Sequence, residues 1–316
     1  MLLRALFLGL LSSVSLAQDF PSRPVKIIVP YAAGGVPDVL ARTVGQRLSE
    51  STGQQFIVEN RGGGAGISAM QTVAKSPADG YTLVMADAAQ TAINPHLFKD
   101  LPYDTLRDFA PVTIAATSVI FLAANATAPI QSFAEFAAFA RANPGKLSYG
   151  SAGIGSAHHI AMEYVKAELK LDVVHVPYKG SGQSVPAFVA GDVQLVLSSL
   201  PALAAHIKSG KARLIGVNSG KRSSQAPDVP SIAEFIPGYD LVVETGLLAP
   251  AGTPAPVVAK LAAEVGKAMT HPETLARLVP LGFDAVGSTP EAFTQTIRAN
   301  LERFARIVKL SGAKAN

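Results

Sequence analysis

The chain contains no cysteine, which removes thiolate chemistry and disulfides together and is compatible with an oxidising compartment. No run of five or six basic residues accompanies its formal charge of +4, so a nucleic-acid role has no electrostatic footprint. No apolar stretch reaches the ~20 residues that a membrane-spanning helix needs. Internal repeats at periods of about 20–50 residues and low-complexity tracts are also missing. There is no H-E-x-x-H, C-x-x-C or G-x-S-x-G motif, so the common metalloprotease, redox and esterase signatures are absent. Gly216 to Lys221 imitates a phosphate loop, but it is one residue short and Arg222 stands where Ser or Thr is needed.

The chain does hold enough apolar residues for sizeable cores. Its 316 residues are 48% hydrophobic and 16% charged, which fits a globular protein of about two domains. The first 17 residues carry one positive charge, Arg4, an apolar stretch from Ala5 to Leu11, and Ser15-Leu16-Ala17. Small residues at that spacing read as a secretory signal peptide over residues 1–17, cleaved after Ala17. Export to the periplasm is the expectation.

From Val25 onward, short β-branched runs alternate with helical periodicity. Val25–Val29 reads as a strand, and Val36, Val39, Leu40, Val44 and Leu48 then recur at helical spacing until Gly53. A strand at Phe56–Val58, a helix over Ile67–Ala74 and a strand over Thr82–Met85 follow. The grammar restarts after about residue 120. Ser132 and Glu135 have capping-box spacing before a helix ending near Pro144. Strands are expected at 147–149, 173–176, 193–197 and 214–217, with helices near 156–169, 183–190 and 200–209. Ser219 to Pro230 interrupts the rhythm, and helices near 255–269, 273–279 and 290–310 end the chain. Such alternation predicts parallel sheets covered by helices. The return of helices at the end implies a discontinuous first lobe, with crossings near 117–123 and 241–247 forming a hinge. A cleft between lobes is where small molecules bind.

Two glycine-rich turns fall between a predicted strand and a predicted helix. One is Pro30-Tyr31-Ala32-Ala33-Gly34-Gly35-Val36-Pro37-Asp38; the other is Ser148-Tyr149-Gly150-Ser151-Ala152-Gly153-Ile154-Gly155-Ser156. Open α/β sheets bind ligands at the carboxyl ends of their strands, where helix N-termini offer unpaired amides suited to an anion. One turn from each lobe could grip a carboxylate without any arginine, the hydroxyls of Ser151 and Ser156 adding donors. Neither turn contains G-x-G-x-x-G, so neither is a dinucleotide fingerprint. Glycine is also common at such junctions merely because the chain bends there. His158 and His159 point about 100° apart on a helix and do not suit one metal. His96, His175, His206 and His271 are scattered singles, and Asp38 reads as a cap for local amides.

At these turns the sequence resembles the tripartite tricarboxylate transporter substrate-binding proteins, the Bug family. The resemblance rests on an ordered set of motifs through almost the whole mature chain. They are Pro21 to Pro30, Val58-Glu59-Asn60-Arg61, Asp79-Gly80-Tyr81-Thr82-Leu83, Ala92-Ile93-Asn94-Pro95, Asp108-Phe109-Ala110-Pro111-Val112 and Ser151 through His159. His175-Val176-Pro177-Tyr178-Lys179-Gly180, Pro227-Asp228-Val229-Pro230 and Leu248 to Pro254 complete it. The resemblance implies a periplasmic α/β binding protein with two lobes, type II-like (a Venus flytrap), that closes on di- or tricarboxylates, acidic amino acids, nicotinate or aromatic acids. It implicates Tyr31, Gly34, Gly35, Asp38, Ser151, Gly153, Gly155, Ser156 and Tyr178 in ligand binding, with Lys179 in the same signature. It further implies a monomer that needs no metal or cofactor and delivers ligand to the membrane permease subunits of a tripartite tricarboxylate transporter.

This chain departs from the family pattern at two acids. Asp87 follows the strand at 82–85 where Ser or Thr is common, and Glu244 precedes Gly246 where the family commonly has Trp. If both faced the cleft, they would disfavour a compact trianion and favour a ligand with a donor group opposite its carboxylate. The expected organisation is lobe I over 18–120 and 245–316 and lobe II over 121–244. A sensor component presenting the carboxylate to a membrane kinase would look the same in sequence. A secreted hydrolase or isomerase would instead need a base within reach of a nucleophile, and no such pair is visible in the sequence.

Overall fold

The computed structural model describes residues 20–34 and 36–314; the leader and Gly35 lie outside them. Strand β1 (Val25–Val29) is followed by helix α1 (Val36–Thr52). Leu40, Val44 and Leu48 are fully buried along one stripe of α1, as spacing of four along a 3.6-residue period requires. Gly53 ends the helix at φ +70°, and its amide donates to the Ser49 carbonyl at 3.1 Å, a left-handed stop that glycine adopts without a Cβ penalty. Strand β2 (Phe56–Asn60), α2 (Ile67–Ala74) and β3 (Thr82–Asp87) complete the first α/β unit. A π-helical turn, Ala89–Ile93, then leads into the short helices α3 (Asn94–Leu97) and α4 (Thr105–Asp108).

Strand β4 (Phe109–Ser118) ends the first passage, and the chain enters a second sheet at β5 (Phe121–Asn125). There follow α5 (Phe133–Ala142), β6 (Ser148–Ser151), α6 (Ala157–Leu169), β7 (Val174–Pro177), α7 (Ser181–Ala190), β8 (Leu195–Ser198), α8 (Leu200–Lys208) and β9 (Ala212–Val217). The chain returns through β10 (Val243–Pro250) and continues as α9 (Ala255–Thr270), α10 (Pro272–Leu278), β11 (Phe283–Ala285) and α11 (Pro290–Ser311).

The first sheet has six strands in the order β11-β4-β10-β3-β1-β2, and the second has five in the order β7-β6-β8-β5-β9. β1 runs parallel to β2 and β3, while β10 lies antiparallel between β3 and β4. In the second sheet β6 is parallel to β7 and β8, but β5 is antiparallel to β8 and β9. The molecule is thus a two-lobed α/β protein with a discontinuous first sheet, and both sheets are mixed rather than wholly parallel.

Periodicity marked β8 and β9 but not the antiparallel strands β4, β5, β10 and β11. β5 and most of β10 are buried on both faces, so their side chains show no alternation to read. β4 carries Pro111, which ordinarily argues against a strand. Its ladder with β10 shifts register between Leu247 and Leu248, where Leu248 pairs with Pro111, and an irregular position tolerates the missing donor.

Packing does not follow the division into sheets. Ala88, Ala89, Ala92, Ile93 and Leu97, from the first unit, share a buried cluster with Leu122, Tyr149, Ile160, Met162 and Leu195 of the second. Phe304, Ile307 and Val308 of α11 belong to that same cluster. Phe293 and Ile297, nearer the start of α11, pack instead with Ile28, Val84 and Leu248. At 22 residues α11 is about 33 Å long, enough for one helix to seal both units.

Candidate functional site

The parallel strands β1, β2 and β3 all end on one edge of the first sheet, and three loops meet there. Tyr31 follows β1, and its hydroxyl donates to Asp87 Oδ2 at 2.7 Å. Asp87 is the last residue of β3, and its Oδ1 accepts the Ala89 amide at 2.7 Å. Gln90, in the π-helical turn, donates from Nε2 to the Tyr31 oxygen at 3.0 Å and accepts the Asp87 amide at 3.3 Å. Burial raises the Asp87 pKa, opposed by the Tyr31 and Ala89 hydrogen bonds. Burial also holds the Tyr31 phenol well above its usual value, with the Asp87 charge adding to the effect.

Asp38 does not reach into open space. Its carboxylate accepts the Gly34 amide at 2.9 Å, Arg42 Nε at 3.1 Å and Asn60 Nδ2 at 2.9 Å. Burial alone would raise its pKa, but these donors hold it below the usual carboxylate value. Asp38 therefore fixes the first glycine turn, with Gly34 at φ +81°, and ties it to the end of β2.

The third loop, Arg61-Gly62-Gly63-Gly64-Ala65-Gly66, was missed in the sequence reading, although it too lies between a strand and a helix. A Cβ on Gly62 would stand 2.7 Å from the Ala32 nitrogen, and one on Gly66 would stand 2.7 Å from Pro30 Cβ. The loop packs backbone-to-backbone on the first turn, which is why glycine is required. Ala65 sits at φ +54°, a conformation uncommon for a residue with a side chain. Its carbonyl accepts Asn94 Nδ2 at 2.9 Å.

The second glycine turn is closed by its own groups. Ser151 Oγ lies 2.6 Å from His175 Nε2 and accepts the Gly153 amide at 3.1 Å. Gly153 is at φ +122° and Gly155 at φ +79°. The Gly155 amide donates to His159 Nδ1 at 3.2 Å. Ser156 caps α6, accepting the His159 amide at 3.2 Å and donating to the Gly153 carbonyl at 2.7 Å. Tyr149, His175 and His159 form a continuous stack, with ring centroids 4.8 and 4.2 Å apart. Burial lowers the His159 pKa and, together with His159 and Lys166, pushes His175 down to about 3. His175, which showed no partner in the sequence, is thus central to the turn.

Ser151 and His175 form a nucleophile–base contact that the sequence had not shown. Ser151 has no exposed surface, and its hydroxyl is also 3.3 Å from the Gly153 carbonyl. The pair holds the turn together. Tyr178 flanks it, with its ring edge 3.3 Å from where a Gly150 Cβ would stand.

Asp87 and Glu244 do not face one space, so the condition under which both acids would bear on ligand choice is not met. Asp87 pairs with Thr245 across the β3–β10 ladder, so the preceding residue, Glu244, leaves the opposite face. Glu244 accepts Asn300 Nδ2 at 3.1 Å and lies 3.8 Å from Arg303 Nη2, both on α11. Burial raises its pKa against the pull of Arg303 and Asn300. Among the described residues no group of three metal-ligating side chains comes together, and no helix is long and apolar enough to cross a membrane.

The tripartite tricarboxylate transporter family receptor model matches residues 40–313. A solved periplasmic transporter is 38% identical, covering 93% of this chain and 99% of its own, with TM-score 0.85. The Rhodopseudomonas palustris protein Rpa4515, solved with adipate, is 33% identical over 94% of this chain and 99% of its own, with TM-score 0.87. MatC from the same organism, solved with malate, is 30% identical over 92% of this chain and all of its own, with TM-score 0.84. The chain belongs to the tripartite tricarboxylate transporter family receptors, the Bug-type solute-binding proteins.

Proposed function

We propose that this protein captures a small carboxylate between its two lobes outside the cytoplasm and delivers it to the permease of a tripartite tricarboxylate transporter. The observation that carries this reading is the placement of one glycine turn at the carboxyl end of a parallel strand in each sheet: Gly34 after β1 and Gly153–Gly155 after β6. Strand ends of open α/β sheets are where ligands dock, and backbone amides there suit an anion. Solved relatives hold adipate and malate, which are carboxylates of the expected size.

Lobe I would comprise residues 18–120 and 245–316, and lobe II residues 121–244. A ligand touching both would favour the closed arrangement, because closure adds contacts. On this reading the leader directs the chain to the periplasm, where it acts as a monomer. Tyr31, Gly34, Gly35, Asp87, Tyr178 and the second turn would surround the ligand, with Asp38, Ser151 and Ser156 holding the turns in shape.

Isothermal titration with di- and tricarboxylates, acidic amino acids and aromatic acids tests the reading. Saturable binding of at least one acid, with the acid recovered unchanged, is expected; no binding across the set, or consumption of the acid, would overturn it. Crosslinking in membranes then identifies the partner. Recovery of permease subunits is expected, and recovery of a sensor kinase alone would reassign the protein.

A further inference from the structure

The hydroxyl and glycine donors of the second turn are already engaged. Ser151 Oγ, Ser156 Oγ and the amides of Gly153 and Gly155 all make hydrogen bonds within the turn or to His159 and His175. The Ser156 amide donates to the Gly153 carbonyl at 3.2 Å, and only the two amides after it are different. Among the described residues, those of Ala157 and His158, in the first turn of α6, have no hydrogen-bond partner. The first amides of a helix lack partners inside it and carry part of its positive pole.

His158 stands at that same end. Its helical neighbours Ala161, Met162 and Val165 are buried in the cluster that also holds residues from Ala88 to Leu97 and the last turns of α11, and α6 packs on α11, the helix shared by both units. His158 as a residue is half-buried and, among the described residues, neither ring nitrogen is hydrogen-bonded. His159, one residue on and about 100° around the helix, enters the Tyr149–His175 stack.

A second observation marks the seam as unfinished. Asn94 is fully buried, and its Nδ2 is fixed by the Ala65 carbonyl at 2.9 Å. That contact sets the amide orientation and leaves Oδ1 without a partner among the described residues. Oδ1 is aimed at the turn, 3.5 Å from where a Cβ on Gly155 would stand. A polar atom buried in this way at a junction between two units is rare in a finished interior.

From this geometry we infer that His158 is a specificity-determining residue of the cleft, gripping one ligand carboxylate with its ring N–H beside the amides of Ala157 and His158. The three donors at this end of α6 can fill three of the four lone-pair sites of a carboxylate. Burial pushes the His158 pKa down to about 4, so at neutral pH the ring is an uncharged donor. The grip then needs no cationic side chain.

The inference rests on the proposed carboxylate-binding function, and one titration series separates the two. Adipate, malate, glutamate and benzoate are titrated into wild type, His158→Ala, His158→Gln and Ser156→Ala. Wild type is expected to bind at least one. For that acid His158→Ala should weaken affinity about 10- to 100-fold, the scale of a hydrogen bond to a charged group. His158→Gln should restore part of the loss, because its amide is again a donor. Ligand-free melting of both His158 variants should match wild type, whereas Ser156→Ala should melt lower with a smaller loss of affinity. Wild type binding none of these four nor any acid of the wider set above would overturn the carboxylate reading, and this inference with it. Wild type binding normally while His158→Ala binds within about twofold, well below the scale of a lost charged hydrogen bond, would overturn the inference alone.

Discussion

Ser151 Oγ and His175 Nε2 lie 2.6 Å apart, although 24 residues separate them and they come from two different strands. β6 and β7 run parallel with Tyr149 opposite His175 and Ser151 opposite Pro177, so the contact crosses the ladder diagonally. It closes the second glycine turn from below, while His159 closes it from the helix side.

Ser151→Ala should therefore act on stability before function. It leaves His175 Nε2 and the Gly153 amide without their partner in a fully buried position. A loss of about 1–3 kcal/mol is expected, measured by urea unfolding. Wild-type stability in this variant would show that the contact contributes nothing.

His158, His159 and His175 should make the protein acid-labile. The folded pKa values of His175, about 3, and His158, about 4, lie below the usual histidine value of 6.5, and that of His159 is also lowered. In this range the unfolded chain binds more protons, so stability falls as pH drops through 6.5 toward the folded values. Each group contributes up to ~1.4 kcal/mol per pH unit. Asp87 and Glu244, whose folded values are raised, oppose this in the lower part of the window. Melting temperature against pH should have a shallower slope between pH 6 and 4 in His175→Gln, by about one titrating group. Parallel slopes in variant and wild type would contradict the assignment.

Asp38→Ala should cost about 2–4 kcal/mol, since the Gly34, Arg42 and Asn60 donors all lose their acceptor. The folded pKa of Asp38 is lowered from 3.8. Its contribution is therefore present above that value and lost as pH falls through the folded one. The gap between wild type and variant should be constant from pH 5 to 8 and narrow below pH 4, as differential scanning calorimetry can read.

Glu244→Gln should have the opposite pH signature. Burial raises the Glu244 pKa from 4.5, so the charged form weakens the folded state as pH rises through the window above that value. Glutamine cannot ionise, and the variant should gain melting temperature relative to wild type between pH 4 and 7. Ligand preference should stay unchanged, because the carboxylate faces α11. A shifted ranking of acids in titration calorimetry would instead place Glu244 at the ligand.

Gly246→Ala should destabilise by about 1–3 kcal/mol through overpacking. An added Cβ would stand 2.5 Å from Phe293 Cζ and 2.7 Å from the Thr113 carbonyl oxygen. Phe293→Leu in the same chain should recover only part of the loss, since the ring would be relieved and the backbone oxygen would not. Full recovery by the second substitution would show that the backbone clash is absorbed.

The order of elements was legible from sequence wherever one face of an element meets water. Helix Ile67–Ala74 begins and ends where its periodicity says, and α1 stops at Gly53. The family too was legible, because its motifs are local and ordered along the chain. Mixed sheet direction was not, since β5 and β10 are covered on both faces and carry no alternating pattern. Tertiary structure alone decided what each site residue does. The sequence placed glycines, serines and Asp38 at strand ends, but folding satisfied most of their polar groups internally: Asp38 with Gly34, Ser151 with His175, Gly155 with His159. It likewise sent Asp87 and Glu244 to opposite faces of one sheet. Hydrogen-bond saturation depends on partners far away in the chain, and no spacing rule encodes it.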